Sequence, residues 1–176
     1  TSLDGYFDGA YRVALECKFT ESEVGSCSHV RLKPGHPTWC DGNYSLKDGV
    51  HRCPLTAKGV KYWRYVPELF NWKYDGDISP CPLFRNYQLV RNLLAIGVQM
   101  DGSVSLDNGH AVLVYDQRNP AFQEQGKGYR AYHETKSALK NPAMLRKSSW
   151  QNITTFLRIN SILPWLTIEL ENKYGM

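Results

Sequence analysis

Glu16 and Lys18 stand two residues apart within Tyr11-Arg12-Val13-Ala14-Leu15-Glu16-Cys17-Lys18-Phe19-Thr20-Glu21. In an extended chain residues i and i+2 share one face, so this spacing sets a carboxylate beside an ammonium. Asp4, in Leu3-Asp4-Gly5-Tyr6-Phe7-Asp8-Gly9, offers a second acid on a neighbouring run. An acid on one strand and Glu-x-Lys on the next can hold a divalent metal through oxygen and activate water. The same spacing also describes an ion pair on the solvated face of a strand, and spacing alone does not separate the two.

Two strands and their turn must position these groups. Val13, Leu15, Cys17 and Phe19 alternate with Ala14, Glu16 and Lys18, which predicts a strand with an apolar core face and a polar face. A two-residue turn at Asp8-Gly9 would set Asp4 opposite Val13, on the apolar side. A wider loop centred near Ala10 instead pairs Phe7 with Val13 and Asp4 with Glu16. That register gathers Leu3, Gly5 and Phe7 with the apolar set and leaves Asp4, Glu16 and Lys18 together. Because a slip of one residue flips every side chain, the hydrophobic pattern selects the wide loop.

With 176 residues the chain is long enough for one domain, taken as 1–176, with a sizeable core. No apolar run approaches a membrane span and no signal-peptide pattern opens the sequence, so the reading is cytoplasmic, with no membrane association. The first residues read directly as strand, which suggests that an N-terminal helix and strand are missing. A net charge of +4 permits nucleic acid without demanding it. Five cysteines without a secretory context point to reduced thiols and favour metal binding over disulfides.

Residues 20–58 hold no period for long and are rich in Gly, Pro and Ser. A loop of that length inside a compact domain tends to be functional or stapled by metal. Cys27, Cys40 and Cys53 recur every thirteen positions, each with a histidine nearby: His29, His36 and His51. Cys27, Cys40, Cys53 and His36 form a candidate structural zinc set, with Cys81 as a distant fourth ligand. Tight C-x₂-C pairs are absent, and the alternative is buried small thiols plus surface histidines. Gly59 to Trp72 mixes aromatics with Lys61 and Arg64, which suits base stacking but more often marks core. From Pro82 to Gly97 the period turns helical, with Leu83, Tyr87, Val90, Leu93 and Leu94 on one side and Gln88, Arg91 and Asn92 on another. His110 to Asp116 reads as a buried strand, and Tyr129–Leu139, Ser149–Asn160 and Pro164–Lys173 as helices. Lys140, Arg146, Lys147 and Arg158 among them could form a basic flank. The order predicts an α/β layout with helices covering a sheet.

Asp4, then Glu16-Cys17-Lys18, then a helix with an inward polar stripe and a buried strand, resembles the core of the PD-(D/E)XK, restriction-endonuclease-like nucleases. Leu15-Glu16-Cys17-Lys18-Phe19-Thr20-Glu21, Cys81-Pro82-Leu83, Tyr87-Gln88-Leu89-Val90-Arg91-Asn92 and Tyr115-Asp116-Gln117-Arg118-Asn119-Pro120 look like one bacterial group of them. The resemblance implies a central mixed sheet flanked by helices, with an insertion at about 22–80 that carries the Cys/His segment. It implies a metal-dependent DNA endonuclease of restriction or repair type that hydrolyses phosphodiester bonds. Asp4, Glu16 and the Cys17 backbone carbonyl would hold Mg²⁺ or Mn²⁺. Lys18 would orient or deprotonate the attacking water and stabilise negative charge, with Gln88 as an auxiliary group. Glu21 and Asp8 are weaker candidates, one beyond the alternation and one in the turn. The expected partner is nucleic acid, with a homodimer as the assembly to test. The alternative is a non-catalytic, zinc-stabilised nucleic-acid-binding or interaction domain.

Overall fold

The computed structural model describes residues 5–7, 11–44, 46–47, 50–51, 53–72 and 76–176. Its strands are β1 (Gly5–Phe7), β2 (Arg12–Lys18), β3 (Leu46–Lys47), β4 (Val50–His51), β5 (Gly109–Tyr115) and β6 (Leu145–Ser149). Its helices are α1 (Pro54–Ala57), α2 (Tyr62–Leu69), α3 (Pro82–Arg85), α4 (Tyr87–Gly97), α5 (Lys127–Ala138), α6 (Trp150–Ile159) and α7 (Pro164–Tyr174). One sheet runs in the order β1-β2-β5-β6 and the short pair β3-β4 stands apart. β1 is antiparallel to β2, whereas β2, β5 and β6 are mutually parallel. The fold is α/β, a small mixed sheet with flanking helices.

Parallel neighbours need a crossover, and α4 supplies the one between β2 and β5. It packs on both strands. β5 earns its central place by composition: Ala111, Leu113 and Val114 are buried, as a strand flanked on both sides requires. β6 was not legible as a strand, because Leu145-Arg146-Lys147-Ser148-Ser149 is polar. Only Leu145 and Ser149 are buried, while Arg146 and Lys147 face solvent at the sheet edge, where charge is compatible with pairing on one side.

The hairpin takes the wide-loop register, with Phe7 opposite Val13, Tyr6 opposite Ala14 and Gly5 opposite Leu15. The assignment of faces is corrected. Ala14, Glu16 and Lys18 are the buried set of β2, and Val13, Leu15 and Cys17 are only half-buried. Helix α4 covers the polar parity and brings its own polar side chains to meet it. On the other parity, Phe19 stacks against Trp150 and Tyr174, with both ring centroids at 4.9 Å.

The aromatic stretch after residue 59 is core. Trp63, Val66 and Leu69 form the buried face of α2, Tyr44 stacks on Trp63 at 3.8 Å, and Phe70 on Trp72 at 4.3 Å. Lys61 and Arg64 point to solvent. The helix expected over Pro82–Gly97 is interrupted at Asn86, which is buried and separates α3 from α4. α4 is largely buried, through Leu89, Val90, Asn92, Leu93, Leu94 and Ile96, and of its polar stripe Asn92 is buried while Gln88 and Arg91 are half-buried. The C-terminal pair α6–α7 leaves Phe156, Ile159, Trp165 and Ile168 exposed.

Candidate active site

β2 delivers Glu16 and Lys18 to one face, and α4 delivers their partners. Lys18 Nζ lies 2.7 Å from Glu16 Oε1, with the two side chains only 8% and 4% exposed. Lys18 Nζ also donates to Gln88 Oε1 at 3.0 Å, and Asn92 Nδ2 donates to Glu16 Oε2 at 2.9 Å. The four groups form one chain, Gln88–Lys18–Glu16–Asn92. The spacing explains why it closes. Four residues of helix rise about 6 Å, and two residues of strand about 6.6 Å, so an antiparallel helix matches Gln88 to Lys18 and Asn92 to Glu16 in step. Removal from water strengthens each of these contacts and makes an unpaired member costly.

Gly25 permits the closest part of this packing. Its φ of +104° lies in the left-handed region, and a Cβ there would fall 2.0 Å from Gln88 Oε1. The Gly25 carbonyl in turn accepts from the Gln88 N–H at 3.4 Å. The loop after β2 therefore presses directly on the side chain that holds Lys18.

At the C-terminal end of β2 the remaining acids do other work. Glu21 accepts from the Phe19 N–H at 2.7 Å, and Asn119 Nδ2 donates to the Phe19 and Glu21 carbonyls at 2.8 and 2.9 Å. Asp116 caps the end of β5. Its carboxylate accepts from Arg118 at 2.7 Å and from Gln151 at 2.8 Å. The Arg118 hydrogen bonds hold the Asp116 carboxyl down at about 2. Asp4 and Asp8 lie outside the described residues.

The Glu16 donor set is oxygen, which suits a hard cation such as Mg²⁺ or Mn²⁺. Each Glu16 oxygen accepts one hydrogen bond, so lone pairs remain on both. Asn92 Oδ1 is buried and has no hydrogen-bond partner among the described residues, an acceptor that a hydrated cation would satisfy. The residues present thus fit such an ion. Among the described residues, no three His, Cys, Asp or Glu side chains are already grouped to hold one.

A family model described as Restriction Endonuclease associating with ARP matches residues 1–175. The chain belongs to that family. No curated protein and no solved structure was found to match it.

Sequence reasoning named Gln88 in this REase-ARP chain but placed Asn92 only in a polar stripe, and it missed Gly25. The four-residue step from Gln88 to Asn92, matched to the two-residue step of Glu-x-Lys, was the available signal. The zinc candidates divide. Cys27, Cys40 and Cys53 line one small cavity together with Cys81 and His29. His36 is exposed and does not line it; its Nδ1 contacts the Thr38 backbone N–H and hydroxyl at 3.2 and 3.1 Å. His51 is paired in the short β3–β4 ladder. Burial raises the Cys27 and Cys40 thiols and pushes Cys81 up to about 12, and neighbouring thiols add to each shift.

Proposed function

We propose that this chain is a metal-dependent nuclease that hydrolyses phosphodiester bonds, acting as a DNA endonuclease of restriction or repair type. The reading rests on one observation: the buried pair Glu16 and Lys18 on β2 is connected to Gln88 on α4. Family membership supports it, and so does the strand–strand–helix–strand order around the cluster.

In this proposal Asp4 is the second carboxylate. The described ladder pairs 7 with 13 and 5 with 15, the register in which the sequence reading expects Asp4 opposite Glu16. Asp4, Glu16 and the Cys17 backbone carbonyl would then hold Mg²⁺ or Mn²⁺. The ion would acidify a bound water and offset phosphate charge. Lys18 has three N–H donors, of which Glu16 and Gln88 engage two, and the third is directed to the attacking water or a phosphate oxygen. Gln88 fixes the ammonium so that it need not reorganise as negative charge develops. Asn92 holds Glu16 in the orientation that shares its oxygens between lysine and cation. The whole chain acts as one PD-(D/E)XK-type domain, with about 22–80 inserted between β2 and α4. DNA is its partner and a homodimer its assembly.

The burial of the pair favours a second reading, in which Glu16 and Lys18 form a structural ion pair in a non-catalytic, zinc-stabilised nucleic-acid-binding or interaction domain. One experiment separates them. Plasmid, linear duplex, single-stranded DNA and RNA are incubated with the protein, with and without Mg²⁺ or Mn²⁺. Glu16→Gln and Lys18→Ala should each lower metal-dependent cleavage at least about a hundredfold while DNA retention in a gel shift persists. Cleavage by either folded variant at the wild-type rate would refute the catalytic assignment.

A further inference from the structure

Four of the five cysteines, drawn from four separate segments, converge on one cavity. Cys27, Cys40, Cys53 and Cys81 line a space of about 20 Å³, room for a single water-sized occupant. All four are free thiols. Cys17, the fifth, lies on β2 and does not line the cavity.

The backbone around three of the thiols, Cys27, Cys40 and Cys81, is knit as a ring. The Cys27 N–H donates to the Phe84 carbonyl at 2.9 Å, the Cys81 N–H to Gly42 at 2.8 Å, and the Cys40 N–H to His29 at 3.3 Å. Each bond joins one cysteine to the segment that carries another. The Cys40 sulfur is also provided for: the Gly42 N–H donates to Cys40 Sγ at 3.4 Å. Amide donors aimed at sulfur stabilise thiolate rather than thiol. Two of the segments repeat a local sequence, Cys53-Pro54-Leu55 and Cys81-Pro82-Leu83, each opening a short helix.

We infer that Cys27, Cys40, Cys53 and Cys81 form a tetrathiolate site for one Zn²⁺ ion. A mononuclear centre fits the cavity. Zinc takes four sulfurs tetrahedrally at about 2.3 Å. Among the described residues no three such side chains are drawn in as ligands, and the proposal requires the thiols to turn inward about their Cα–Cβ bonds. Four thiols release four protons to solvent as four Zn–S bonds form, which leaves a dianionic centre with no change of oxidation state. His29 lines the same cavity, but its Nδ1 engages the Thr38 carbonyl at 2.9 Å, and it is not a ligand in this assignment. The ion would staple a segment whose described residues form short helices and a two-stranded ladder. The inference does not depend on the nuclease reading.

The full chain, purified after expression in zinc-supplemented medium, is analysed for metal by plasma mass spectrometry. It is also reconstituted with Co²⁺ and its absorption recorded. The expected result is one zinc per chain, and a cobalt spectrum with intense thiolate charge transfer and tetrahedral d–d bands. Cys27→Ser, Cys40→Ser, Cys53→Ser and Cys81→Ser should each lower zinc stoichiometry. Cys17→Ser, His29→Ala and His36→Ala should keep it at one. Should a serine variant fail to fold, the wild-type zinc content and cobalt spectrum still decide the matter. A wild-type protein without stoichiometric zinc and without the cobalt–thiolate bands overturns the inference, as do disulfides among these four cysteines in freshly purified protein.

Discussion

Substituting Gly25 by alanine tests how the loop after β2 acts on the Glu16–Lys18 pair. The new methyl would meet three atoms of one side chain, Gln88 Oε1 at 2.0 Å, Cδ at 2.3 Å and Cγ at 2.8 Å. No rotation at residue 25 relieves this, since Cβ is fixed by the backbone, so Gln88 must swing away and release Lys18 Nζ. Loss of a hydrogen bond to a charged group costs about 1.5–3 kcal/mol. Holding alanine at φ +104° adds a strain of order 1–3 kcal/mol. Together they place Gly25→Ala about 2.5–6 kcal/mol below wild type, which for a domain of this size lowers the melting temperature by roughly 5–24 °C. Gln88→Ala should show the hydrogen-bond part alone. In the double variant the shortened side chain leaves room for the methyl, so the two losses should fall short of additivity by about 1.5–3 kcal/mol. Urea titration of the four proteins measures this directly. Additivity within about 0.5 kcal/mol would show that the methyl does not act through Gln88, and the coupling argument would fail. In parallel nuclease assays, Gly25→Ala and Gln88→Ala should depress cleavage to a similar degree.

Two further outcomes follow from the same geometry. Lys18→Met leaves Glu16, whose side chain is 4% exposed, without its cation and should cost about 3–5 kcal/mol in chemical denaturation. Glu16→Gln combined with Lys18→Met should recover most of that loss; a double variant less stable than Lys18→Met would contradict it. For Asp116, the folded carboxyl is held at about 2, below its unfolded value, mainly by Arg118. Its contribution is present above about pH 4 and lost as pH falls towards 2. The stability gap between wild type and Asp116→Asn should narrow across that window, and a gap that stays constant down to pH 2 would exclude Asp116 as its source.

The hairpin register was readable because only one pairing kept Phe7 with Val13 and the rest of the apolar parity together. Which face would be buried was not readable. Glu16 and Lys18 look like solvent-facing residues, and the groups that make their burial tolerable, Gln88 and Asn92, lie 70 and 76 positions further along the chain. Polarity in sequence reports cost, and only the fold shows whether a partner offsets it. β6 was lost for a related reason. Its pairing with β5 is non-local and parallel, and Arg146 and Lys147 dilute the apolar signal. In the cysteine segment the regular spacing drew attention to Cys27, Cys40 and Cys53 with His36, and the convergence of Cys81 on the same cavity comes from contacts between segments far apart in the chain.

The match between one turn of α4 and one pleat of β2 has a consequence for the stretch between them. The separation of the acid from the ammonium, and of each from its amide partner, is fixed by the repeat lengths of helix and strand. It does not depend on how many residues join them. Residues inserted at an exposed turn of the excursion, such as Lys58-Gly59, would leave the ruler that spaces the cluster unaltered. The region near Gly25 has no such licence, because there the connecting chain touches the ruler itself.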